Sequence, residues 1–160
     1  MRRAVEHQPR GLWPDDAASD CLTLDFDERH RRRRRLITDG GEAVLLDLPN
    51  AVAMADGDGL RLDDAGWLRI KAAAEPLLEV RCASPAHLAR VAWHLGNRHL
   101  AAQVTAETIL VRPDHVIEAM VRGLGAETRH VHAPFQPEGG AYGDHRHGHD
   151  HGHGGHGHGH

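Results

Sequence analysis

The sequence is short of several residue types, and each shortage excludes a class of protein. Two cysteines, Cys21 and Cys82, stand far apart in 160 residues, which excludes a disulfide-stapled fold and favours a reducing compartment. No run approaches the ~18 apolar residues of a membrane-spanning helix, and the N-terminus lacks the apolar stretch of a signal peptide. We therefore expect a cytoplasmic protein that does not insert into membranes.

Aromatic and lysine side chains are also scarce. Aromatic residues make up 4% of the chain, Lys71 is the single lysine beside eighteen arginines, and the formal net charge is −4. A negative chain with few aromatic rings for base stacking is a poor candidate for binding nucleic acid. The arginine run at 31–35 is the feature that favours nucleic acid, but an acidic partner surface or a charged edge strand explains it as well.

Motifs of catalysis are missing too. The chain has no Gly-x-Ser-x-Gly nucleophile turn, no phosphate-binding Gly-x-x-x-x-Gly-Lys-Ser/Thr loop and no His-Glu-x-x-His zinc helix. We therefore expect a binding protein rather than an enzyme. If its function uses the energy of a nucleotide, another protein must bind that nucleotide.

Histidine is the residue in excess, and it is concentrated at the C-terminus. Eight of the last sixteen residues are histidine and six are glycine, so the segment 144–160 has no apolar side chain to bury and is predicted to be disordered. Neutral imidazoles are good ligands for nickel, zinc and copper, and glycine lets several rings reach one ion. Affinity tags are usually uninterrupted histidine runs, so the interruptions favour a natural tail. The predicted tail ligands are His145, His147, His149, His151, His153, His156, His158 and His160.

Two small domains are predicted to precede the tail. Residues 1–74 alternate short apolar runs with turns such as Asp39-Gly40-Gly41 and show no helical period. This pattern predicts an all-β domain of about five or six short strands, with residues 43–48 and 51–54 among them.

Residues 75–143 have a different pattern. Residues 77–82, 102–105, 108–111 and 127–133 suit strands, while Ser84-Pro85 and Pro113-Asp114 are helix starts followed by apolar stripes at helical spacing. The order β-α-β-β-α-β predicts an α+β, ferredoxin-like domain. Each domain has roughly seventy residues, a size at which association of two chains supports a marginal core.

His99 is the candidate metal ligand of the folded part. It follows the predicted helix 85–95, in the connection to the next strand, where a side chain can point outward from a rigid support. A two-fold axis would place the same histidine of a second chain beside it. Two nitrogens are half of a four-coordinate shell, and the tails could supply the other half.

Three ordered blocks carry a resemblance to a known family. They are Trp93-His94-Leu95-Gly96-Asn97-Arg98-His99, then Asp114-His115-Val116, then residues 133–142 before the histidine-rich terminus. These blocks resemble the urease accessory protein family UreE, whereas residues 1–74 resemble it only in their strand-and-turn layout. The resemblance implies a homodimeric nickel metallochaperone with a peptide-binding-like N-terminal domain, and it leaves a metal-dependent dimer of dimers open. It further implies delivery of Ni(II) to apo-urease with the GTPase UreG, UreF and UreD or UreH, and His99 as the central ligand at the dimer interface.

A second ligand set of some family members maps incompletely onto this chain. Cys82 matches the family's cysteine and His115 one of its two histidines, but Pro113 occupies the other histidine position and has no side-chain donor. A Cys82–His115 pair for softer ions competes with a buried cysteine and a helix-start histidine. His130 and His132 are two apart on a predicted strand and share a face, which suits a metal pair or an exposed strand equally.

Two functions stay open on the residues alone. One is delivery of a metal ion through His99, and the other is storage of metal ions in the tail. Histidine accepts nickel, zinc and copper alike, so Ni(II) is inherited from the resemblance, with Zn(II) and Cu(II) as alternatives. The resemblance favours delivery.

Overall fold

The computed structural model describes residues 1–139. They form two β-sheets, and the strands of each sheet come from one half of the chain. The tail ligands between His145 and His160 lie outside the described residues. The strands of the first half are β1 (Arg2–Gln8), β2 (Ala18–Leu24), β3 (Arg33–Ile37), β4 (Ala43–Asp47), β5 (Gly59–Leu62) and β6 (Trp67–Ala72). The second half contains β7 (Ala74–Arg81), α1 (Pro85–Gly96), β8 (Ala102–Val104), β9 (Thr108–Val111), α2 (His115–Gly123) and β10 (Glu127–Pro134).

The first sheet has the strand order β2-β6-β5-β1-β4-β3. Apolar side chains alternate along its strands, so one face is buried, as Leu22 and Leu24 of β2 show. The turn after β3 brings the two edges of the sheet together at one corner, because the Asp39 N–H donates to the Cys21 carbonyl at 2.8 Å. The all-β prediction for this half is confirmed.

Two details of the first sheet differ from the sequence-based expectation. The predicted strand at 51–54 is wrong: these residues form an irregular segment that buries Met54, whose N–H donates to the Arg29 carbonyl rather than to a strand ladder. The strand β1, which lies inside the sheet between β5 and β4, was not predicted. The sequence of β1 lacks the apolar alternation of a strand, because Ala4 is its one fully buried residue.

The second sheet has the order β10-β7-β9-β8 with every neighbouring pair antiparallel. The two helices pack against one face of it. This is the ferredoxin-like β-α-β-β-α-β arrangement that the sequence predicted. The core lies between the sheet and the helices and contains Leu78, Val80, Val91, Leu95, Ile109, Val111, Ile117, Val121 and Ala126.

Side-chain caps begin both helices where the sequence predicted them. Ser84 accepts a hydrogen bond from the His87 N–H at 3.1 Å, and proline occupies the first helical position. Asp114 accepts from the Val116 and Ile117 N–H groups at 2.8 and 3.1 Å, and these two bonds lower the pKa of its carboxyl. Within residues 1–139, neither helix has the length and apolar character needed to span a bilayer.

The two sheets meet through the segment that follows β10. Phe135 is fully buried, and its ring packs against Phe26 with 5.3 Å between the centroids. The buried Arg29 guanidinium donates to the carbonyl oxygens of both Met54 and Phe135. Residues 135–138, which we name the strap, therefore tie the first half of the chain to the end of the second. The domain limits 1–74 and 75–143 stay predictions, although the strands change sheet at Ala73.

Candidate metal centre

His99 lies one turn beyond the end of α1, as the sequence predicted. Hydrogen-bonded turns extend the chain direction of α1 past Gly96. The Arg98 N–H donates to the Leu95 carbonyl and the His99 N–H to the Gly96 carbonyl, both at 3.1 Å. Leu95 is fully buried in the core, and burial of a leucine contributes about 2 kcal/mol. An exposed imidazole is thus carried by a firmly anchored helix end.

The backbone of His99 has a left-handed conformation, with φ at +56°. Ala65 is the other non-glycine residue of the described chain in this region. Such a conformation is uncommon for residues with a Cβ and costs on the order of 1–3 kcal/mol. It turns the chain from α1 towards β8 and fixes the direction from which the imidazole leaves the backbone.

His115 lies at the same end of the second sheet as His99. Ala102 of β8 pairs with Val111 of β9; His99 comes shortly before Ala102 and His115 shortly after Val111. Both imidazoles are exposed. The sheet register therefore gathers these two predicted ligands at one end of the domain, which we name the His99 end.

The His99 end also exposes large apolar side chains. Trp93, on the last turns of α1, is 64% exposed, and Val116, on the first turn of α2, is 53% exposed. The Trp93 ring contacts the neighbouring His94 ring edge-on, with 5.0 Å between centroids. An exposed tryptophan and an exposed valine at one end of a small domain are typical of a surface that another molecule covers.

Cys82 lies at the opposite end of the same sheet. It follows Arg81, which pairs with Thr108 at the start of β9, whereas His115 follows the end of β9. The strand between them spans about 10 Å at ~3.4 Å per residue, so one chain does not bring Cys82 and His115 together. Burial raises the pKa of the Cys82 thiol, which keeps it protonated at neutral pH and weakens it as a metal ligand.

Three other histidines between residues 75 and 139 have protein partners or lie on the sheet. His130 Nε2 is 3.2 Å from a carboxylate oxygen of Glu118 on α2. The pKa of that carboxyl is lowered, mainly by the hydrogen bond from the Thr128 hydroxyl and to a smaller extent by His130. His132 is exposed on β10. The Ala83 N–H donates to Nδ1 of His87 at 3.0 Å, and the Nε2–H of His87 donates to the Leu124 carbonyl at 2.8 Å.

Sequence reasoning missed the position of the strap. The Glu138 N–H donates to the Ala102 carbonyl at 2.8 Å, and the Gln136 N–H donates to the side-chain oxygen of Gln103 at 2.9 Å. The strap thus ends on β8, at the His99 end. No local signal predicts this contact, because it joins residues far apart in the sequence.

In residues 1–139 no group of three or more His, Cys, Asp or Glu side chains is arranged to hold a metal ion. What the described residues offer is one exposed imidazole on a rigid turn, a second imidazole at the same end, and an anchored start for the segment that leads to the tail.

Comparison with known proteins gives a consistent result for both halves. The sequence model described as UreE urease accessory protein, N-terminal domain, matches residues 2–73, and that of the C-terminal domain matches residues 75–160. A urease accessory protein UreE of Bradyrhizobium sp. (strain ORS 278) is 54% identical over 147 residues, covering 92% of this chain and 70% of the relative.

A protein of the same name from Agrobacterium fabrum is 48% identical over 150 residues and 92% of both chains. The relative from Chelativorans sp. (strain BNC1) is 50% identical over 132 residues, or 82% of this chain and 84% of its own length. These relatives carry the name of accessory proteins of urease. With both halves matched and half of the positions identical over most of its length, the chain belongs to the UreE urease accessory protein family.

Proposed function

We propose that this protein is a carrier of Ni(II) that delivers the ion to apo-urease during maturation of the enzyme. The ion is bound between the His99 side chains of two chains and is supplied by the histidine-rich tail. The observation that carries the proposal is the exposed imidazole of His99, held by a left-handed backbone on an anchored helix end. A costly conformation that aims a metal-binding side chain at solvent is expected at a functional position.

The apolar surface of the His99 end supports a two-fold dimer. Trp93 and Val116 are exposed at the same end of the domain as His99 and His115, and a self-complementary contact through them would bring His99 of each chain to the axis. Two imidazoles leave coordination positions open, and an ion with exchangeable ligands suits a protein that must release its cargo.

Chain geometry supports a role for the tail in loading this site. Ala102 and His99 are three residues apart, a distance of at most about 11 Å, and the seven residues from Glu138 to His145 reach at most about 25 Å. Because the strap ends on Ala102, the first tail histidines are within reach of His99. His115 acts as an auxiliary ligand, and Cys82, at the other end with a protonated thiol, is outside the carrier site.

The proposal includes partners that the family implies. The ion passes to urease in a complex with UreG, UreF and UreD or UreH, and UreG supplies the GTP chemistry. Zn(II) and Cu(II) also bind the imidazole ligands, since the donor set does not exclude them.

The decisive experiment separates delivery from storage. We would delete residues 144–160 and titrate the remaining protein with nickel by calorimetry. Delivery predicts that about one tightly bound ion per dimer survives the deletion and disappears with the further change His99→Ala. Storage in the tail predicts that almost all binding leaves with the tail, and that result would refute the carrier site.

The matched control is His94→Ala, which removes an imidazole from α1, the helix that precedes His99. Nickel binding by the tail-less protein should be unchanged in this variant. In cells that lack the protein, wild type and His94→Ala should restore urease activation, and His99→Ala should not. If His99→Ala also restored activation fully, the role of His99 in delivery would be excluded.

A further inference from the structure

The arginine run at 31–35 has no part in the proposed nickel site, and the structure gives it a defined setting. Residues 33–35 lie in β3, an edge strand of the first sheet, and all five arginines are exposed. The other edge strand, β2, is covered where the turn after β3 reaches it, since the Thr23 N–H and hydroxyl both donate to the Asp39 carboxylate.

The backbone pattern shows which groups of β3 face away from the sheet. At the two ends of the strand, Arg32 accepts a hydrogen bond from the Leu48 N–H and Thr38 donates one to Glu42, so the even-numbered residues face β4. In an antiparallel pair the alternate residues then point their N–H and C=O groups outward. These are Arg33, Arg35 and Ile37, and in residues 1–139 no strand pairs with them.

The next outward residue already makes a hydrogen bond of the kind that an added strand would make. The Asp39 N–H, which continues the same edge, donates to the Cys21 carbonyl of β2 at 2.8 Å. The outward groups of Arg33, Arg35 and Ile37 extend this line, and within residues 1–139 they have no backbone partner. A row of outward N–H and C=O groups is a template for one more strand, and the arginines beside it select for a strand that carries the opposite charge.

The charges beside the edge are mostly uncompensated. Asp47 lies 4.0 Å from Arg33, and the same carboxylate is shared with Arg3 at 3.3 Å. Within the described chain, no acidic side chain comes within salt-bridge distance of the other four arginines of the run. Their guanidinium groups remain available for carboxylates of another molecule.

The edge favours one occupant over its competitors. A second copy of β3 would bring two arginine runs side by side, and like charges on adjacent strands destabilise the pair. Nucleic acid would use the charges but not the outward N–H and C=O groups, and β3 has no aromatic side chain for base stacking. An extended acidic peptide uses both features. Ile37, 51% exposed at the end of the strand, adds an apolar contact.

We propose that the outer edge of β3 binds an extended acidic segment of a partner protein, which adds to the sheet as a further strand. Its carboxylates pair with the arginines at 31–35, and an aliphatic residue of the segment packs against Ile37. The proposal does not depend on nickel binding, because β3 belongs to the other half of the chain.

Binding can be tested with a defined probe and the full-length protein. The probe is a fluorescein-labelled peptide that alternates glutamate with threonine and ends in valine, and its binding is followed by fluorescence anisotropy. We expect saturable binding that weakens with added salt. A second peptide, identical in charge but N-methylated at two adjacent central residues, cannot form a strand ladder on either edge, and we expect it to bind about tenfold more weakly.

Two variants at one position separate the backbone from the charge. Arg35→Pro removes an outward N–H that β4 does not use, so the edge position tolerates proline, while Arg35→Gln removes the same charge and keeps the N–H. We expect about a tenfold loss of peptide affinity for Arg35→Pro and about a two- to threefold loss for Arg35→Gln.

Circular dichroism checks that both variants are folded. If Arg35→Pro does not fold, the N-methylated peptide decides the question alone. Equal binding of the two peptides would overturn strand addition. A second result would also overturn the proposal. It is that an oligonucleotide binds the wild-type protein more tightly than the acidic peptide does, and loses this affinity when the arginines at 31–35 are replaced by serine.

Discussion

The backbone N–H of Glu138 donates to the carbonyl oxygen of Ala102 at 2.8 Å. This contact fixes the last described part of the chain to the strand that follows His99. The strap is also held from the other side, where the Asp56 N–H donates to the Gln136 side chain at 2.9 Å and Arg29 to the Phe135 carbonyl. The segment that leads to the tail therefore starts from a defined point at the His99 end.

Releasing the end of the strap should weaken the binding of nickel that the tail and the site at His99, the carrier site, share. Glu138→Pro removes the N–H that binds Ala102, and Glu138→Ala keeps it. We expect the proline variant to bind nickel about two- to tenfold more weakly in a chelator competition, because the effective concentration of tail histidines near His99 falls. The number of ions bound should not change. Equal affinities of the two variants would show that the anchor does not matter.

The left-handed backbone at His99 predicts a stability difference between two variants that both lack the imidazole. Glycine adopts φ values near +56° without strain, whereas alanine does not. His99→Gly should be more stable than His99→Ala by about 1 kcal/mol in urea unfolding, and both should lose nickel at the carrier site.

Ala65, with φ at +70°, is the internal control for this prediction. It is exposed in the turn between β5 and β6. Ala65→Gly should raise the free energy of unfolding by a similar amount and leave nickel binding unchanged. If neither glycine variant gained stability relative to its alanine counterpart, backbone strain at these positions would be negligible.

His87 is predicted to stabilise the fold and not to bind metal. Its Nδ1 accepts from the Ala83 N–H, so the proton sits on Nε2 and is donated to the Leu124 carbonyl at the end of α2. His87→Ala should lower the free energy of unfolding by about 1–3 kcal/mol, as measured by urea denaturation.

Nickel titration of the same variant distinguishes the two roles. The folded His87→Ala protein should bind as many ions as the wild type, because both ring nitrogens are already engaged in hydrogen bonds. A lower stoichiometry in a folded sample would make His87 a ligand.

Asp58 is predicted to make the first domain sensitive to acid. The residue is 4% exposed, and its carboxylate accepts hydrogen bonds from the Arg10 and Ala55 N–H groups and from His7 Nε2 at 2.7–2.9 Å. Burial alone would raise the pKa of this carboxyl, but the hydrogen bonds outweigh it and the pKa is lowered.

Because the pKa of Asp58 is lowered in the folded protein, the pH range over which its stabilising effect is lost can be stated. Stability from the Asp58 carboxylate is complete above the unfolded-state pKa of about 3.9. It is lost as the pH falls from there through the lower pKa of the folded state. Asp58→Asn should therefore be less stable than wild type at pH 7, and its free energy of unfolding should fall less between pH 5 and pH 2. Parallel pH profiles of the two proteins would contradict this prediction.

The second half of the chain was predictable because its signals are local. Ser84 and Asp114 cap the helices through bonds to residues two or three positions away, and Leu88, Val91 and Leu95 repeat at helical spacing. The first half was harder. The strand β1 is mostly polar, and the apolar residues 51–54 bury Met54 without joining a sheet.

The candidate site was predicted in part. His99 was identified from its place after a helix and from the resemblance, and its exposure agrees with a ligand role. The separation of Cys82 from His115 was not predicted, since it depends on which ends of β7 and β9 face each other. The structural role of His87 also escaped prediction, because Leu124 lies 37 positions away.

The sequence by itself determined the fold class and the helix boundaries, and it predicts the histidines of the tail and His99 as metal ligands. These properties follow from side-chain types and from spacings within a few residues. Only the tertiary structure decided which histidines share an end of the sheet, where the strap is anchored and which edge of the first sheet is open. The physical reason is that strand order and register arise from backbone pairings between residues far apart in the sequence, such as Leu78 of β7 and His130 of β10.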